Sequence, residues 1–288
     1  MTTFPLHTAT VSRRSARTRQ RVSGLTASVL LLAFAALTLL PIYIMIVASL
    51  KTGTDSETNP FGLPLHPQWQ NYVNAFQSMH YLQSVGNTLI ITLATAIVTI
   101  FTASLAAWAI VRYARRWTRT AYQVFVAGLT IPVFVVITPL YQVLQQLHLL
   151  DSYLGIVLAY SALTLPFAVF FFAGFLRTVP PELEEAAAVD GCGILRTYWH
   201  IVLPLLRPAT ATLTIFIILQ VWNDLILPLI LLSTKQTVTL SVYATIGTHS
   251  FSTAQLLPTL VLGVVPLFIV FLALQRHVVA GISVGAGK

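Results

Sequence analysis

The sequence predicts an all-α, polytopic membrane protein with six transmembrane helices. Three observations carry that reading. The 288 residues are 56% hydrophobic and 8% charged, with a mean hydropathy of +0.81, whereas soluble domains carry about 25% charged residues. Six stretches reach the roughly 20 mostly apolar residues that cross a bilayer. The basic residues, in turn, collect on alternate connections between those stretches.

The first span runs from about Leu25 to Leu50, with no charge between Arg21 and Lys51. It follows a basic, Thr-rich tail over residues 1–24, a composition that favours partial disorder. The apolar run exceeds the 7–15 residues of a signal-peptide core, and no small-x-small cleavage site follows it. An uncleaved signal anchor is the reading. The second span covers Ser84 to Val111, the third Thr120 to Leu147 and the fourth Tyr153 to Leu176. The fifth covers Pro208 to Leu232 and the sixth Leu256 to Leu274.

Orientation follows from charge. Arg13, Arg14, Arg17, Arg19 and Arg21 precede the first span, and Arg112, Arg115, Arg116 and Arg119 lie between the second and third. Arg177, Arg196 and Arg207 lie between the fourth and fifth, and Arg276 and Lys288 follow the sixth. That puts 14 of the 16 basic residues on one side, with Lys51 and Lys235 on the other. The positive-inside rule makes the crowded side, with both termini, cytoplasmic. The same clustering beside apolar runs assigns the net charge of +8 to topology rather than to nucleic-acid binding.

Lys51 to Gln83 is the longest extracytoplasmic piece. It opens on turn formers and continues with Trp69, Tyr72, Val73 and Phe76, spaced as one face of a short helix. Aromatic residues suit the membrane interface, so a helix lying at the outer surface is expected. The division of the chain is then a cytoplasmic tail over 1–24 and a first span with its loop over 25–83. A core over 84–277 contains a cytoplasmic segment, 178–206, and a short cytoplasmic tail covers 278–288.

That cytoplasmic segment is the most informative part of the chain. Pro180 and Pro181 cannot continue a preceding helix but can open a new one. Glu182, Glu184 and Glu185 follow in the first turns, where carboxylates suit the helix dipole, and Ala186, Ala187 and Ala188 are strong helix formers. Gly191 and Gly193 should stop the helix, as glycine does where the backbone turns to positive φ. A second helix carries Leu195, Tyr198, Trp199, Ile201 and Val202 until Pro204 closes it. Spacing alone also suits a capped amphipathic helix at the membrane surface.

The residues resemble a named pattern. Glu185-Ala186-Ala187, two residues, Asp190-Gly191, nine residues and then Ile201-x-Leu203-Pro204 look like the EAA motif of permease subunits of bacterial ATP-binding-cassette importers. The resemblance extends from about Gln68 to the C-terminus. Trp69-Gln70-Asn71-Tyr72, Asn87-Thr88-Leu89, Leu165-Pro166-Phe167, Phe175 to Pro180, Trp222-Asn223-Asp224 and the Gln275-Arg276-His277 ending are similar to the carbohydrate branch and its maltose-G-type permeases. Cys192-Gly193 departs from the Ala-Ser usual after the motif's Asp-Gly.

The resemblance implies a type I importer permease fold and a coupling helix that enters a cleft of an ATPase subunit. It implies a second permease subunit, an ATPase dimer and an extracytoplasmic solute-binding protein as partners, within the lipid bilayer. ATP would be bound by the ATPase, leaving no cofactor, metal or catalytic residue in this chain. Substrate would be a sugar or oligosaccharide, moved by alternating access. An amino acid, a polyamine or a phosphorylated sugar is the alternative cargo.

Other classes are less well served. Asp224 is the only charged residue well inside a predicted span, and with Asn223 it is a candidate for the translocation path; a hydrogen bond to a neighbouring helix would explain it equally. An ion-gradient transporter would need several such carboxylates. The seven histidines are scattered, and no Walker loop, H-E-x-x-H or G-x-S-x-G is present. Cys192 is the sole cysteine, so no intrachain disulfide can form. Pro132, Pro139, Pro166, Pro228 and Pro266 should break or kink their spans.

Overall fold

The computed structural model describes residues 13–113, 115–248 and 253–286, with side chains described for 27–113, 115–247 and 253–273. The described residues are helical, with no strand. Helix α1 (Arg13–Ser49) is followed by α2 (Gly53–Thr58), α3 (Gln70–Ser78), α4 (Tyr81–Arg112), α5 (Arg116–Gly128), α6 (Val133–Gln146) and α7 (Tyr153–Leu176). Next come α8 (Glu182–Val189), α9 (Ile194–Thr197), a π-helical stretch (Tyr198–Val202) and α10 (Leu203–Leu205). The chain then forms α11 (Arg207–Asn223), α12 (Ile226–Leu231), α13 (Val238–Thr248) and α14 (Thr253–Ala286).

Four helices are long and apolar enough to cross a membrane, and up to six spans result if each of two bent helix pairs counts as one. The first, second, fourth and sixth predicted spans correspond to α1, α4, α7 and α14. The third is not straight: α5 and α6 meet at 108°, and Pro132 sits at the break, immediately before α6. The fifth ends at Asn223 rather than Leu232, because Asp224 leaves the helix with extended backbone and starts α12. Its partner in the bend, at 71°, is the 194–205 segment. Pro139, Pro166 and Pro266, expected to break or kink their helices, lie inside α6, α7 and α14, which continue through them without a break. The apolar helix α13 was not foreseen. At the start of the chain, the helix begins at Arg13, so residues 13–24 of the expected tail are helical, whereas residues 1–12 lie outside the described residues. Helix α14 likewise runs to Ala286 through most of the expected 278–288 tail.

The core lies between α4, α7 and α11. Ile91, Ala103 and Ala107 of α4 meet Ala159, Ala168, Val169, Phe172 and Ala173 of α7, and Leu213, Ile217 and Val221 close the group from α11. Small residues let the backbones approach, the usual basis of helix association in lipid, where burial of apolar surface gives little. Gly128, at the end of α5, shows the same economy, since a Cβ there would lie 3.2 Å from Pro166 Cγ. By contrast the apolar stretch of α1 is exposed, with Leu30, Leu31 and Leu32 at 69–70%. An apolar surface of that extent is stable only against lipid or another apolar surface.

Helix α3 forms as predicted, but its predicted apolar stripe points outward. Trp69, Val73 and Phe76 are exposed, while Ala75 is buried and Asn71 donates to the carbonyls of Ser49 and Lys51 at 3.0 and 2.9 Å. Tyr72, a member of that stripe, shares a hydrogen bond of 2.6 Å with Ser49, so it and Asn71 together tie α3 to the end of α1.

Candidate functional site

The α8 helix carries the sequence-predicted motif, and its two ends are fixed differently. At its start, Glu182, Glu184 and Glu185 occupy the first turn. Glu184 turns inward: Oε1 accepts from Arg112 Nε and Oε2 from Trp108 Nε1, both at 2.8 Å. Arg112 donates again to the Val179 carbonyl at 3.1 Å. Trp108 and Arg112 stand one turn apart at the end of α4, so three donors from one spanning helix grip the entry to α8. Sequence reasoning missed this anchor. A signal was present in the apolar-to-basic spacing of Trp108 and Arg112, but nothing in it named Glu184 as the partner among three glutamates.

At its other end α8 stops in a Schellman turn. The Cys192 amide donates to the Ala187 carbonyl at 2.9 Å and the Gly191 amide to the Ala188 carbonyl at 3.0 Å, which satisfies two of the carbonyls a helix end leaves open. Gly191 has φ +80, a conformation glycine adopts without steric cost. Gly193, expected to share that role, has φ −70 and extended backbone and instead starts α9.

The second half of the motif does not end at Pro204 as expected. Pro204 has no N–H to give the His200 carbonyl, and Leu203 reaches back five residues to the Tyr198 carbonyl. A π-helical stretch results, of the kind often found at functional positions, and the chain continues through α10 before bending into α11. Tyr198 is the pivot: fully buried, it shares a hydrogen bond of 2.8 Å with Ser104 of α4 and packs against the Trp108 ring.

These elements distribute the motif residues over two faces. Glu185, Ala186, Asp190 and Gly191 are exposed, Ala187 is buried, and Ile201, Leu203 and Pro204 are half-buried. Beside the exposed group lie five exposed apolar side chains: Leu195 and Trp199, expected on the second helix, and Leu183, Val189 and Ile194, which the sequence did not single out. Val189 is 88% exposed and Leu195 73%. On this face small residues stand beside protruding apolar ones.

Asp224 has a structural role. Its Oδ2 accepts from Tyr160 Oη of α7 at 2.8 Å, and its carboxylate accepts from the Ile226 and Leu227 amides at 3.0 and 3.3 Å, capping α12. The neighbouring Trp222 donates to the Gly263 carbonyl of α14 at 3.2 Å. Asp224 also borders a cavity of about 340 Å³, where Gln220 and Asn223 face Phe134, Ile137 and Leu163. A polar strip along one side of an apolar hollow can hold hydroxyl groups by hydrogen bonds and a carbon skeleton by contact.

Asn87 and Thr88 tie α4 to the segment before α13. Asn87 donates to the Gln236 carbonyl at 2.9 Å and accepts from Tyr153 at 2.7 Å, while Thr88 accepts from the Val238 amide at 2.9 Å. Nearby, Asp151, in left-handed conformation, accepts from the Ser233 and Thr234 amides at 3.0 Å and from the Thr234 hydroxyl at 2.6 Å. Lys235 completes the clasp on the Asp151 carbonyl at 2.6 Å. Desolvation opposes ionisation of Asp151, but the hydrogen bonds from Thr234 and Ser233 outweigh it and hold the carboxyl well below the usual carboxylate range. Among the described residues no three His, Cys, Asp or Glu side chains group as a metal site.

Comparison with known proteins gives the family. Residues 99–284 match the family described as binding-protein-dependent transport system inner membrane component. The diacetylchitobiose uptake system permease protein NgcG of Streptomyces coelicolor is 31% identical over 280 residues, covering 96% of this chain and 92% of that protein. The melibiose/raffinose/stachyose import permease protein MelC of Bacillus subtilis is 30% identical over 279 residues, 96% of this chain and 99% of its own. In fold, the chain is similar to one from the crystal structure of a bacterial ABC transporter involved in the import of the acidic polysaccharide alginate. The TM-score is 0.74 at 21% identity, over 95% of this chain and 99% of that one. A multi-pass helical protein with these relatives is a non-catalytic membrane subunit of an ABC importer, and the chain belongs to the binding-protein-dependent transport system inner membrane component family.

Proposed function

We propose that this subunit serves an oligosaccharide importer and that residues 182–204 are its coupling element. Two relatives named for di- and oligosaccharide import, matched over nearly their whole length, support the cargo. The observation that carries the coupling role is the division of labour within α8. Glu184 is engaged inward on α4, leaving Glu185, Ala186, Asp190, Gly191 and the apolar side chains around them outward. A surface anchored to a spanning helix on one side and exposed on the other can transmit a push from a partner.

In this reading an ATPase dimer binds the nucleotide and holds the outward face of α8, a second permease subunit completes the bundle, and an extracytoplasmic binding protein delivers the sugar. The distribution of Lys and Arg supports a cytoplasmic position for both termini and the coupling element. Closure of the ATPase dimer moves α8, and the Glu184–Arg112 link passes the movement to α4 and so to the core it shares with α7 and α11. The Asn223 side of the 340 Å³ cavity borders the path, with Asp224 holding its wall in shape.

The test is uptake in cells that lack and regain this chain, with labelled disaccharides and trisaccharides against a labelled polyamine and an amino acid. Restored uptake of a di- or trisaccharide alone, lost again in Glu185→Lys while the protein still reaches the membrane, is expected. Uptake of the polyamine or amino acid instead would refute the cargo. Full sugar uptake by Glu185→Lys would count against the coupling face.

A further inference from the structure

A second hollow lies at the end of α4, apart from the coupling surface. It measures about 410 Å³ and is lined by Arg115, Arg116, Arg119 and Arg177, with Tyr122 and Ile110 as its apolar wall. From its placement and chemistry we infer a binding site for the headgroup phosphate of an anionic membrane phospholipid.

The positive-inside rule explains why arginines stand on this side of the chain. It does not explain why four of them surround one cavity. Three come from the start of α5, and Arg177 arrives from the end of α7, where its guanidinium lies 4.8 Å from the centre of the Tyr122 ring. Thr118, buried among them, donates to the carbonyls of Tyr113 and Arg115 and so fixes the turn that presents Arg115 and Arg119. Among the described residues, none of the four has a carboxylate within ion-pair distance. The described ion pairs are Arg112 with Glu184 and Lys235 with Asp151. The first turn of α5 holds no acidic residue either, so like charges crowd the positive end of a helix dipole. An anion in the cavity relieves both repulsions, and guanidinium groups match phosphate oxygens in pairs.

Depth in the membrane selects a lipid over other phosphates. Tyr113 and Trp117, beside the arginines, are exposed, and Val124, two turns further along α5, is 65% exposed. Aromatic side chains of that kind sit at the level of lipid headgroups, and basic hollows between helices at this depth receive anionic headgroups. The apolar face of α5 next to the cavity gives the acyl chains a surface to follow.

The experiment is native mass spectrometry of the assembled transporter taken from vesicles of phosphatidylcholine with about 30% phosphatidylglycerol, a mixture with the surface charge of an anionic leaflet. Wild type should retain phosphatidylglycerol in preference to phosphatidylcholine. The double variant Arg119→Gln/Arg177→Gln should lose that retention by roughly tenfold, as expected when two charge-assisted contacts go. Arg119→Lys/Arg177→Lys, which keeps the charge, should retain an intermediate amount and shows that the site is assembled. The pair Arg207→Gln/Arg276→Gln, which removes the same charge elsewhere, should retain the wild-type amount. Equal loss in that control reduces the effect to general attraction and overturns the proposal. Displacement of the lipid by millimolar inorganic phosphate would assign the cavity to a free anion. Unchanged lipid retention in the glutamine variant, with loss of the ATPase subunit, would assign it to a protein contact.

Discussion

Replacing Glu184 by glutamine isolates the link between the coupling element and the spanning helices. The side chain keeps its size, and neither Val189 nor any other exposed residue of α8 is touched. Its two oxygens now accept from two donors, Arg112 Nε and Trp108 Nε1, each at 2.8 Å. A glutamine amide offers one oxygen and one NH2 group, so one of those donors must face another donor. The loss is one charge-assisted hydrogen bond, worth about 1.5–3 kcal/mol, and the pair is screened little, with side chains only 15% and 14% exposed. A central value of about 2 kcal/mol corresponds to an approximately 30-fold shift in the equilibrium between α8 held on α4 and α8 released. Hydrogen exchange of the 182–191 amides in the reconstituted transporter measures that equilibrium directly. Exchange there should quicken by that factor while α7 and α11 stay protected. The ATPase should still co-purify, and sugar transported per ATP should fall. In a double-mutant cycle with Arg112→Ala the two changes should be strongly non-additive. Exchange within twofold of wild type, or additive effects in the cycle, would refute the anchoring argument.

Three further outcomes follow from local geometry. Gly191 at φ +80 has open space where a methyl group would stand, with no neighbouring atom within 4 Å, so Gly191→Ala should cost only the backbone term of about 1–2 kcal/mol. Gly191→Val should add a β-branched clash with its own backbone, and Gly191→Asn should be mildest; ATPase co-purification and stimulated hydrolysis rank the three. Asp151→Asn removes the charge that receives the Ser233 and Thr234 amides and should destabilise the clasp by about 1–2 kcal/mol, read as faster exchange at 231–238. Because the folded carboxyl titrates below the unfolded one, this stabilisation is complete above the ordinary carboxylate pKa. It should fade progressively as pH falls through the ordinary carboxylate range toward the lower folded value, and Asp151→Asn should abolish that pH dependence. For topology, reporter fusions at Gly53 and Lys235 should read outside and a fusion at Lys288 inside; an outside signal at Lys288 contradicts the six-span reading.

Much of the fold was legible because spans are long and their chemistry is simple. Tyr153 to Leu176 was placed to the residue, since an uninterrupted apolar run has one reading in a bilayer. Composition could not show that the run from Pro208 to Leu232 divides at Asp224, because the residues of α12 are as apolar as those of α11; the division is made by one carboxylate turning to cap a helix. Pro132 stands at the break of its span while α6 continues through Pro139, so the presence of a proline alone does not say where a span divides. At the site, the motif announced α8 and its glycine turn. It named Glu185 but gave Glu184 no role of its own, because that role depends on Arg112, 72 residues away along the chain. The exposed stripe of α3 shows the same limit in reverse. Helical spacing identified one face, and the partners of Asn71 and Tyr72 show which side of the helix is turned toward the protein.

Cys192 allows the central claim to be measured with a single bond. It closes the Schellman turn of α8, half-buried and free, and is the only cysteine in the chain. Cysteines placed one at a time along the groove of the ATPase subunit should include a position that forms a disulfide with Cys192, which requires Cα atoms within about 7 Å. The yield should differ between the nucleotide-free and ATP-trapped transporter, since a moving groove is what drives the cycle. If no groove position crosslinks in either state while the subunits still co-purify, α8 is not the coupling element.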